Sequence, residues 1–134
     1  MAGDKVGTKL AAQFGSILLG SAMGVNLNTA TNVDTVIPMI DTPTKFRVRA
    51  VAMTNGSINP TTARFTINTA VAAGGVAVVT AVTPSLSSAA VVQDLSIAST
   101  NTISGIGALY LNLGTAQGAA ATVDIYVYGD IYTA

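Results

Sequence analysis

Three cations stand on alternate residues, Lys45, Arg47 and Arg49, and form the only charge cluster in the chain. In an extended segment this spacing places all three on one face, with Phe46, Val48 and Ala50 on the other. A cationic row of this kind can hold a phosphate, a sugar acid or an acidic patch on another protein. It can equally be a solvent-facing strand balanced by aspartates across the sheet. The available carboxylates are six aspartates spread from Asp4 to Asp130. Asp124 and Asp130 share one segment but lie about 20 Å apart along an extended strand. That separation is too large for the paired carboxylates of glycoside hydrolysis, so they read as solvated or turn-capping groups. Tyr126, Tyr128 and Tyr132 alternate with apolar residues near the end of the sequence. Tyrosines in such a row serve an ordinary sheet face, a subunit interface or a sugar platform.

The residues that are missing exclude more chemistry than those present suggest. The chain has no His and no Cys, so Ser-His-Asp and Cys-His nucleophiles, thiolate metal sites and disulfides are ruled out. Gly105-Ile106-Gly107 lacks the third glycine and the lysine of a phosphate loop. No Asp-x-Asn calcium loop is present. The expectation is a protein that is not an enzyme, with no cofactor and no metal. Only 9% of residues are charged and the net charge is zero, against about 25% charged in ordinary soluble domains. That leaves no basic footprint for nucleic acid, and the row at Lys45 has no aromatic on its own face for base stacking. No apolar run approaches the length of a membrane-spanning helix. Lys5 and Lys9 followed by Phe14 to Met23 loosely resemble a secretory leader. However, the strongly apolar stretch is only Ile17–Leu19, Asp4 sits among the cations, and Gly15 and Ser16 interrupt the run. A neutral surface rich in Thr, Ser, Asn and Ala favours association.

The elements that must position these residues are short and β-like. Thr35–Ile40 reads as a strand with Pro38 marking an edge, and Asp41–Thr44 as a turn. Phe46–Met53 and Ala63–Thr69 alternate with period 2. Gly74-Gly75 breaks the chain, and the apolar run Val76–Val82 predicts a buried strand. Further strands are expected over Ala89–Leu95, near Ile103, over Ala108–Leu113 and over Ala121–Tyr132. About eight strands at roughly 8–14-residue spacing, with no helical period between them, predict an all-β antiparallel β-sandwich. A jelly roll is the first choice and an immunoglobulin-like sandwich the alternative. The inward set comprises Phe46, Val48, Phe65, Ile67, Val78, Leu95, Leu109, Leu111, Val123, Ile125 and Val127. Residues 1–33 show no sustained period and read as an extended N-terminal arm, leaving 34–134 as the sandwich domain. Phe14, Ile17, Leu18 and Leu19 in that arm, with Lys45, Arg47, Arg49, Tyr126 and Tyr128, are the candidate partner contacts.

A resemblance adds to this reading. The segment Ala63–Ala70, then Gly74-Gly75, Val91–Leu95 and Ala108–Asp130, with its Leu-Gly-Thr-Ala-Gln-Gly to Tyr-Val-Tyr-Gly-Asp ending, resembles the jelly-roll capsid decoration, or cement, proteins of tailed bacteriophages. It covers roughly residues 35 to 132 and rests on strand rhythm and that ending. The resemblance implies a virion protein on the outer surface of the capsid. It would bind the major capsid protein as a symmetric oligomer, and the near-zero charge and Thr- and Ala-rich strand faces predict a closed homo-oligomer, trimer first and dimer second. A sugar-binding or adhesin module on a phage or bacterial surface is the alternative.

Overall fold

The alternating segments form nine strands and no helix among the residues that the computed structural model describes, 17–40, 45–85, 91–99 and 101–133. They are β1 (Ile17–Asn26), β2 (Asp34–Pro38), β3 (Lys45–Thr54), β4 (Arg64–Ala70), β5 (Gly74–Val82), β6 (Gln93–Leu95), β7 (Ile103–Ser104), β8 (Ala108–Thr115) and β9 (Thr122–Thr133). One sheet runs β1-β9-β3-β6, with β7 also on β3; the other runs β2-β8-β4-β5. Every pairing is antiparallel. The pairs nest, β1 with β9, β2 with β8, β3 with β6 and β7, and β4 with β5, as when one long antiparallel ribbon is rolled into two layers.

The inner faces of the two layers meet in a single apolar core. All eleven residues of the expected inward set are buried in it, from Phe46, Ile67 and Ile125 at full burial to Leu95 near the rim. Each such side chain contributes about 1.5–3 kcal/mol on burial. Pro38 lies on an edge strand, as its missing N–H requires.

The structure revises four expectations. Residues 17–33 are not an arm. β1 pairs along β9, and Leu19, Val25 and Leu27 sit in the core. Two bulges, between Leu18 and Gly20 and between Ala22 and Val25, reset the inward phase twice in ten residues, which is why no period is visible. Leu27 is fully buried inside a polar stretch: its N–H donates to the Ala121 carbonyl, and its own carbonyl accepts from Gln117. Phe14 and the turn Asp41–Thr44 lie outside the described residues.

Second, Val76–Val82 belongs to an edge strand, not a buried one. Val78 and Val79 are buried while Val76 is 41% exposed. Third, the chain turns at Val71–Ala73, where Ala72 and Ala73 both take left-handed φ, and Gly74-Gly75 lie within β5. Fourth, a bulge between Val48 and Ala50 shifts the phase of β3. Val51 and Met53 therefore point inward, and Ala50 does not follow Val48.

Close approach of backbones fixes one further residue type. A Cβ on Gly129 would collide with the Arg47 carbonyl oxygen and lie 2.7 Å from Leu19 Cδ1. Only glycine lets β9 pass this tightly between β1 and β3.

Candidate partner-contact face

The outer face of the first sheet collects most of the candidate residues. Along β9 the outward positions are Asp124, Tyr126, Tyr128 and Asp130, because Val123, Ile125 and Val127 fill the core. Register then determines what flanks each of them. Tyr126 lies opposite Ser21 on β1 and Ala52 on β3; Tyr128 lies opposite Leu18 and Ala50. Both tyrosines are half-buried among these smaller neighbours, and the Tyr126 hydroxyl approaches Met23 Sδ at 3.5 Å. Leu18 and Met23 remain exposed beside them at 37% and 56%.

The cationic row stands next to this apolar strip. Arg47 faces Asp130 directly across the sheet, and Nη2 donates to Oδ2 at 2.9 Å. Without a bulge, Arg49 would face Tyr128. Because Val48 and Arg49 together oppose Gly129, Arg49 becomes the extra residue, and its Nη1 reaches the same Oδ2 at 3.3 Å. Two guanidiniums thus share one carboxylate. The Asp130 side chain is 7% exposed, against 32% and 43% for Arg47 and Arg49. Arg47 Nε and Asp130 Oδ1 are buried without partners. They are a donor and an acceptor within one ion pair, which is made instead through Arg47 Nη2 and Asp130 Oδ2. Lys45 is exposed at the end of the row. The balancing of the row by a cross-strand aspartate is therefore real but incomplete.

A hollow opens beside these arginines. β6 pairs with β3 only at Val51–Met53, and β7 only at Lys45–Phe46. Between them, no described strand covers the edge of β3. A space of about 200 Å³ lies here, lined by Arg47, Val48, Arg49 and Ile97. Ile97 comes from the aperiodic loop after β6, and nothing in its spacing marks it as part of a site.

The remaining candidates separate. Leu19 is core, 2% exposed, so it is removed from the contact set: the inward phase of β1 points it away from any partner. Ile17 is half-buried and packs on the core. Asp124 ties β9 to distant parts of the chain, accepting from the Gly24 N–H on β1 at 2.8 Å and from the Asn55 side-chain Nδ2 at 3.0 Å.

A second hollow of about 120 Å³ lies on the outer face of the other sheet, between Arg64, Thr66, Ala73 and Asn112. Sequence reasoning does not anticipate it. It forms because the β4–β5 turn folds over the sheet, with Ala72 N–H donating to Asp34 Oδ2 at 2.9 Å. No group of three or more potential metal-ligating side chains occurs among the described residues. Comparison with family models, with curated proteins and with solved structures returns no match.

Proposed function

We propose that this chain is a capsid decoration, or cement, protein that binds the outside of a phage head as a closed homo-oligomer and bridges neighbouring major capsid subunits. The observation that carries this reading is the outer face of the first sheet. There, half-buried tyrosines and exposed Leu18 and Met23 adjoin an incompletely neutralised arginine pair. Such a patch combines the apolar centre and charged rim of a protein-binding surface. The nested strand pairing favours the jelly-roll form of the sandwich over the immunoglobulin-like one.

The mechanism is mechanical. A ligand that binds only the assembled shell stabilises it by mass action, about 2.7 kcal/mol per site at a hundred times Kd. A symmetric oligomer joins several modest contacts into one event of high effective concentration. Tyrosine suits this use because it carries a large contact area on few rotatable bonds.

The test is co-sedimentation of the purified full chain with intact heads of the phage that encodes it, together with the thermal resistance of those heads. Saturable binding and a raised head-disruption temperature are expected. No binding to heads, together with specific retention on a glycan array, would replace this reading with the adhesin one.

A further inference from the structure

Resting on the reading of this face as a protein contact, we infer that the hollow beside Arg47 and Arg49 is a receptor for one carboxylate side chain of the docked partner. Charge balance points there first. Asp130 neutralises one of the two guanidiniums, and Lys45 adds a further cation on the same strand face. The other carboxylate on β6, Asp94, is exposed in register with Ala52. It makes no ion pair with either arginine among the described residues.

Geometry makes the excess charge usable. A free arginine loses about 2 kcal/mol of rotamer entropy when it is fixed. Here Asp130, itself buried, already holds both guanidiniums at one point. The ordering cost is therefore met before the partner arrives. Each guanidinium carries five N–H donors, and one from each is engaged by Asp130. Ile97 supplies an apolar wall against which the methylenes of a Glu or Asp side chain can lie.

The lining also disfavours a sugar. Sugar hydroxyls need acceptors as well as donors. Among the described residues the only carboxylate at this site is Asp130, whose Oδ2 both arginines already occupy and whose Oδ1 is buried. A carboxylate needs donors alone.

The experiment uses the 15N-labelled full chain and follows the Nε–H signals of Arg47, Arg49 and Arg64, with Arg64 on the other sheet as an internal control. Three probes are titrated: a doubly capped glutamate, its capped glutamine isostere and glucuronate. The glutamate compound should shift Arg47 and Arg49 but not Arg64, with about a two- to fivefold preference over glutamine, the range of an exposed ion pair. Salt and the exposed-site variant Arg49→Gln should each reduce that preference. In the docked complex, where water is excluded, Arg49→Gln should weaken head binding about 10- to 100-fold, as expected for a charge-assisted hydrogen bond. An equal response to glutamine, a stronger response to glucuronate, or an equal response at Arg64 overturns the proposal. The titration needs no capsid, so a failure of the wild-type chain to bind heads would count against the decoration reading alone.

Discussion

Deleting residues 2–30 should unfold the protein, because the deletion removes β1 and Leu27. Leu19, Val25 and Leu27 are 2%, 3% and 0% exposed. At about 1.5–3 kcal/mol for each buried side chain, their loss amounts to roughly 5–9 kcal/mol. The whole stability of a domain is about 5–15 kcal/mol. The deletion also bares the edge of β9, whose inward Val123, Ile125 and Val127 would lose their neighbours on β1. Single substitutions resolve the effect. Leu27→Ala should cost about 2–5 kcal/mol, whereas Met23→Leu, on the exposed part of β1, should stay within about 0.5 kcal/mol. Urea unfolding followed by far-ultraviolet circular dichroism measures all three, with the slope of the transition checking that the same surface is exposed. A truncated chain that unfolds cooperatively at the full-length midpoint, or a Leu27→Ala variant within 0.5 kcal/mol of wild type, would refute the placement of β1 in the core.

Gly129→Ala should destabilise by about 3 kcal/mol or more, because the new methyl meets the Arg47 carbonyl rather than a movable side chain; thermal unfolding should then fall by about 10 °C. Asp130→Asn should cost about 1.5–3 kcal/mol in urea unfolding, since it leaves two adjacent arginines without their shared counter-charge. Gln117→Ala should cost about 1–3 kcal/mol, because Oε1 accepts from both Thr62 and Ala63 N–H at 2.9 Å, and faster amide exchange at those two positions would report the same loss.

The sequence by itself determined the fold class and most of the core. Phe65 and Ile67, Leu109 and Leu111, and Val123, Ile125 and Val127 alternate without interruption, and a period of two has one meaning in a chain that must bury one face. Composition alone also excluded thiol and imidazole chemistry. The tertiary structure decided everything that depends on a break in period or on residues far apart in the chain. Bulges in β1 hid a core strand inside an apparent arm, since one extra residue inverts the phase and a second inverts it back. The apolar run at Val76 looked buried, but burial depends on how many neighbours a strand has, and β5 lies at an edge. Asp130 and Arg47 are 83 residues apart in the chain. Only strand register makes them opposite, and only the bulge at Arg49 brings a second cation to the same oxygen. Pairing between distant strands is a property of the closed sheet, and no local pattern encodes it.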